Sequence, residues 1–105
     1  MENRTIFAAI LGLGTVGTGA WKVLQGQMEE MQHKLGAVIK VKKILVRNTA
    51  KAAEKTGHPE LITDSWEDIV KDDSIEIVIE LMGGLEPART YIREALEAGK
   101  HVVTA

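Results

Sequence analysis

Apolar and polar positions along the chain form two kinds of stretch that take turns. Some are short and dominated by apolar residues: Thr5 to Leu11, Ala37 to Val46, Ile75 to Leu81 and His101 to Thr104. Continuous apolar character over such a length marks a strand buried on both faces, as in a parallel sheet. Others repeat apolar residues at three- and four-residue steps. Val16, Ala20, Val23, Leu24, Met28 and Met31 make one such stripe, with Gln27 its polar exception, so the spacing predicts an amphipathic helix from about Thr15 to Lys34 that stops at Gly36. Met28 and Met31 are expected in the core, and Trp21 beside the stripe. A second helix is predicted over Ala50 to Lys55, capped by Asn48 or Thr49 and ended by Gly57 and Pro59. Leu61 to Thr63 reads as a short strand. A helix capped by Ser65 follows and ends near Lys71. A last helix has Pro87 in its first turn, an apolar face of Tyr91, Ile92, Ala95 and Leu96, and Gly99 at its close.

Strand and helix alternating throughout predicts parallel strands joined by right-handed crossovers. The expected fold is α/β: a Rossmann-type doubly wound parallel sheet in three layers, α/β/α, filling residues 1–105 as one domain. Neither an internal repeat nor a low-complexity linker interrupts it. The strand ends gather at one edge, where the loops are Gly12–Gly17, Arg47–Thr49, Leu81–Pro87 and Thr104–Ala105. In such sheets ligands bind outside the carboxyl ends of the strands.

The first of those loops has a recognisable mechanical logic. Gly12-Leu13-Gly14-Thr15-Val16-Gly17 follows the first strand and opens the first helix, the context in which a GxGxxG pattern points to a dinucleotide. Gly12 lets the chain leave the strand in a tight turn. Gly14 lets backbone approach a pyrophosphate, and Gly17 lets the helix pack close to the sheet. Phosphate then meets unpaired N–H groups at the helix N-terminus. A plain structural glycine turn is the alternative reading.

The residue closing the second strand is expected at the adenosine ribose. An acid there accepts hydrogen bonds from the 2′-hydroxyl and reads as NAD. Arg47 stands there instead, near Asn48, Thr49 and Lys51. A guanidinium accepts no hydrogen bond but grips a 2′-phosphate with paired donors, so NADP is expected in preference to NAD. Arg47 lies 30 residues beyond Gly17, more than the usual gap of about 20, and the long first helix takes up the difference. The alternative is a solvated loop arginine. Glu80, the carboxylate near the end of its strand, either holds backbone near the nicotinamide ribose or is satisfied by loop N–H groups. His33, His58 and His101 are far apart and read as structural or surface residues, and no residues show metal-ligand spacing.

Composition narrows the classes further. Apolar residues make up 45% and charged residues 27%, ordinary for a soluble globular domain. A net charge of −2 with scattered Lys and Arg steers the chain towards neither nucleic acid nor an anionic membrane. With no cysteine there is no disulfide, thiolate metal site or cysteine nucleophile, which suits the cytoplasm. The N-terminal apolar run is too short for a membrane span and passes straight into the glycine turn rather than a cleavage site.

Together, Gly12–Gly17, Arg47-Asn48, Glu80-Leu81-Met82-Gly83-Gly84 and the ending Ala98-Gly99-Lys100-His101-Val102-Val103-Thr104-Ala105 resemble the N-terminal, NAD(P)-binding part of homoserine dehydrogenases over nearly the whole chain. The resemblance implies an NAD(P)-dependent oxidoreductase that interconverts L-homoserine and L-aspartate 4-semialdehyde in threonine and methionine biosynthesis. It implies that Leu13, Thr15 and Val16 contact the pyrophosphate and nearby ribose, that Arg47 meets the adenosine end, and that Met82, Gly83 and Thr104 lie on the nicotinamide side. The family's substrate and catalytic residues lie in a later domain, so this chain is expected to be a cofactor-binding fragment, inactive alone, of an enzyme that is homo-oligomeric at full length. Two other readings remain at this point. One is a glucose-fructose-oxidoreductase-type or amino-acid dehydrogenase, which shares Ala-Gly-Lys-His-Val; the other is a non-catalytic nucleotide-sensing module.

Overall fold

The structure, a computed structural model, describes residues 4–12, 18–82 and 86–104. The strands are β1 (Arg4–Leu11), β2 (Ala37–Leu45), β3 (Ile62–Thr63), β4 (Ile75–Glu80) and β5 (His101–Thr104). The helices are α1 (Thr18–Leu35 within the described residues), α2 (Thr49–Thr56), α3 (Glu67–Val70) and α4 (Ala88–Glu97), and a 3-10 turn spans Pro59–Leu61. The sheet is parallel in the order β3-β2-β1-β4-β5. The chain therefore winds outward from β1 in one direction, then returns to the other side of β1 and winds outward again. Such a reversal leaves a crevice beside β1, the topological switch point.

Side-chain alternation explains the layers. Ile6, Ala8 and Ile10 of β1 join Met28 of α1 and Ala52 of α2 in one cluster. Ala9 and Leu11 join Ile69 of α3 and Ala95 of α4 in another. Ala8 through Leu11 are wholly buried because helices cover both faces, which is why this strand reads as an unbroken apolar run.

β2 reads less cleanly, and its register shows why. Ala8 pairs with Val41 but Ala9 pairs with Lys43, so Lys42 is an extra residue in a bulge. Before the bulge Ile39 and Val41 face the first cluster; after it Ile44 and Val46 do. Lys42 leaves the ladder to bond the turn before β4: its Nζ lies 2.7 Å from Asp72 Oδ2 and donates to Ser74 Oγ at 2.6 Å. It also sits 5.6 Å from the centre of the Phe7 ring. These partners hold the Asp72 carboxyl down to about 2, the Lys42 bond acting most strongly and Ser74 next. Lys100, buried at the entrance to β5, donates to the carbonyls of Asp72 and Ile75, both at 2.7 Å. A buried ammonium is tolerated where its donors are used in this way.

Several local expectations are adjusted. The second strand stops at Leu45 rather than Val46, although Val46 N–H still donates to Thr63 C=O at 2.9 Å. α1 runs one residue past Lys34, to Leu35, and Met28 and Met31 do pack in the core; the expected start at Thr15 and the side chain of Trp21 lie outside what is described. Ser65 does not cap α3. Thr63 Oγ1 donates to Asp68 Oδ2 at 2.7 Å and accepts Ser65 N–H at 3.1 Å, so the turn is closed from the strand instead. Pro87 stands just before α4 rather than in its first turn. Leu96 is 57% exposed, because the face of α4 that meets the sheet runs through Ala88 and Ala95.

Candidate functional site

The parallel register brings the strand ends into one row. Leu11 pairs with Leu45 and Glu80, Leu45 with Thr63, and Glu80 with Thr104. Backbone bonds continue that row past the strands: Gly12 N–H donates to Leu45 C=O at 2.8 Å, and Leu81 N–H to Leu11 C=O at 3.0 Å. The residues just beyond therefore share one rim of the sheet. A cleft of about 700 Å³ opens there, bordered by Gly12, Arg47, Asn48, Lys51, Asp64, Leu81, Met82, Pro87 and Tyr91 among others. That volume is in the range of small-molecule and cofactor pockets.

Gly12 leaves β1 at φ +85°, a left-handed conformation that favours glycine. A Cβ on it would lie 2.6 Å from Met82 Cγ. The absence of that one carbon thus lets the segment after β4 close over the end of β1. On the other side of the cleft, Asn48 caps α2: its Oδ1 accepts Lys51 N–H at 3.0 Å, and its C=O accepts Ala52 N–H at 3.1 Å. The cap ties the first turn of α2 to the end of β2, which sets Lys51 near Arg47. No acidic residue occupies that first turn. Both side chains are exposed, and among the described residues neither forms an ion pair.

The apolar wall has its own support. Tyr91 stacks on Trp66 with ring centres 4.6 Å apart, and Trp66 Nε1 donates to Glu94 Oε1 at 2.8 Å. Two aromatic rings from different helical turns thereby stiffen each other.

Of the residues expected at a dinucleotide, Gly12, Arg47 and Met82 come together around this cleft. Thr104 ends β5 beside Glu80 and borders a separate hollow of about 300 Å³ under α1, with Met28 and Met31. Leu13, Gly14, Thr15, Val16, Gly17 and Gly83 lie outside the described residues. Glu80 is 1% exposed at the end of β4 and has a bonding partner. His33, His58 and His101 are exposed; His58 Nδ1 lies 3.2 Å from Glu60 Oε1. Among the described residues no three potential ligands converge as a metal site, and no helix is long and apolar enough to cross a membrane. Sequence reasoning did not single out Asp64 and Tyr91 as cleft residues. Asp64 follows a strand of only two residues, and the rule that residues after parallel strands share a rim would have found it.

A parallel sheet in this order, with a left-handed glycine at the end of its central strand and a cleft at the point of reversal, defines a Rossmann-type dinucleotide-binding domain. Residues 12–105 match the family model described as the NAD-binding domain of homoserine dehydrogenase. The chain belongs to that family. It is 37% identical to the homoserine dehydrogenase of Bacillus subtilis over 97% of its length, and 45% identical to that of Synechocystis over 96%. Its backbone superposes on the crystal structure of a homoserine dehydrogenase from Thiobacillus denitrificans with a TM-score of 0.80, 44% identity and 98% of the chain covered. The chain spans about a quarter of the length of these relatives: 24%, 23% and 24% respectively. An NAD-binding protein from Listeria innocua, 22% identical with a TM-score of 0.67, shares the fold alone. The family match supports a nicotinamide dinucleotide as the ligand and does not favour the glucose-fructose-oxidoreductase-type reading.

Proposed function

We propose that this chain is the cofactor-holding part of an enzyme that interconverts L-homoserine and L-aspartate 4-semialdehyde, and that it takes NADP in preference to NAD. The relatives' shared name supports the first part. They are about four times as long as this chain, and this reading assigns the residues that hold substrate to the remainder of such a protein. A nicotinamide cofactor supplies the hydride chemistry when bound, and the domain supplies position and charge. The glycine turn from Gly12 through Gly17 receives the pyrophosphate, and Met82, Gly83 and Thr104 belong to the nicotinamide side.

The observation that carries the cofactor preference is the pairing of Arg47 with Lys51 at the start of α2. The first turn of a helix favours negative charge, and acidic side chains usually supply it. This one has no acid and two nearby cations instead, an arrangement that suits an anion brought by the ligand. A 2′-phosphate meets that need, whereas a bare ribose does not. Calorimetric titration with NADPH and NADH tests the reading. NADPH is expected to bind about tenfold or more tightly, as one charge-assisted contact of 1.5–3 kcal/mol requires. Arg47→Asp should narrow or reverse the ratio. Equal affinity for the two cofactors in the unaltered chain would end the argument for Arg47.

A further inference from the structure

We infer that Asp64 reads the exocyclic amine of the cofactor's adenine ring, an assignment that rests on the dinucleotide reading of the cleft. Among the described residues, Asp64 is the only acidic side chain bordering a cavity whose other charged residues are Arg47 and Lys51. A carboxylate beside a phosphate subsite weakens binding unless it faces a donor. In this cleft the carboxylate therefore calls for a hydrogen-bond donor on the ligand.

The fold leaves Asp64 nothing else to do. An Asp between a strand and a helix commonly caps the helix. Here Thr63 and Asp68 close the turn, and α3 has no side-chain cap. Asp64 is exposed and forms no hydrogen bond or ion pair among the described residues, even though the bond from Val46 N–H to Thr63 C=O brings the end of β3 beside that of β2 and hence near Arg47. The same cavity is also lined by Leu81, Pro87 and Tyr91, the last braced by its stack on Trp66. A flat heteroaromatic ring suits that wall. Apart from ribose hydroxyls, the adenosine end offers one strong donor group, the amine at position 6 of the base. An acceptor at the rim, cations on the neighbouring strand end and an apolar wall between loops match adenine, ribose phosphate and base faces respectively.

The test compares NADPH with its purine analogue, in which hydrogen replaces the amine at position 6 and the ring nitrogens stay as they are. The unaltered chain should bind the adenine form about tenfold more tightly, as expected for one hydrogen bond to a charged group. Asp64→Ala should bring the ratio close to one, whereas Asp64→Asn, which keeps an acceptor oxygen, should preserve most of it. Arg47→Asp should weaken both ligands and leave the ratio unchanged. Equal binding of the two forms by the unaltered chain overturns the assignment, as does a ratio that survives Asp64→Ala. If Asp64→Ala changes both affinities equally, the carboxylate acts through charge or through the ribose, and the assignment also fails. Binding of neither ligand refutes the dinucleotide reading itself, a result distinct from these.

Discussion

Gly12→Ala tests whether the end of β1 and the segment after β4 are mechanically one piece. Two costs are separable in the structure. The backbone sits at φ +85°, where a side chain costs about 1–2 kcal/mol. The new methyl also lands 2.6 Å from Met82 Cγ. That carbon is close to the Met82 backbone, so rotating the far end of the side chain does not clear it. Met82 must leave its rotamer or pull the chain after β4 away from β1, at about 0.5–1.5 kcal/mol for the rotamer alone. The expected loss is about 2–3 kcal/mol, a large share of the stability of a small domain. Urea unfolding followed by far-ultraviolet circular dichroism reads it as a fall in midpoint with unchanged slope. Met82→Ala separates the terms. It should lower stability by itself, since Met82 packs against the second cluster. It should also cut the cost of Gly12→Ala by about 1 kcal/mol, a coupling typical of residues in contact. If Gly12→Ala costs under about 0.5 kcal/mol, or the same with and without Met82, the close approach does not hold this rim together.

The Lys42–Asp72 pair predicts acid behaviour. Asp72 is lowered to about 2 in the fold, against about 3.9 unfolded, so its stabilisation is present above the unfolded value and lost as pH falls through the folded one. Full linkage would give ~2.6 kcal/mol, but Lys42 and Asp72 are 38% and 23% exposed, and solvent screening reduces this to about 1 kcal/mol. Lys42→Met should thus lower stability at pH 7, and the gap to the unaltered chain should shrink as pH falls from about 5 towards 2 in a pH series of denaturant melts; a gap independent of pH would assign the loss to packing. Asn48→Ala removes the α2 cap and should cost about 1 kcal/mol. By loosening Lys51 it should also weaken NADPH more than NADH in the same titration, and a loss equal for both would detach the cap from cofactor choice.

Much of this domain was legible before any coordinates, and for local reasons. Runs such as Ala8 to Leu11 report burial on two faces, and Asn48, Gly57 and Gly99 report helix ends through bonds and dihedrals within a few residues. Arg47 was assignable to the rim because a strand end in a parallel sheet has only one place to go. Chemistry without a local signature was hidden. The bulge that frees Lys42 depends on β1 pairing with β2 and on a turn 30 residues later. Lys100 looks like a solvent lysine until two carbonyls from the start of β4 surround it. Ser65 looks like a helix cap until Thr63 and Asp68 close that turn from the strand. Periodicity and capping are properties of neighbours along the chain, so the amino-acid order alone located the strands and helices and pointed to the rim where a ligand is expected. Charge placement depends on which distant segments share a strand end, and only the folded sheet decides that.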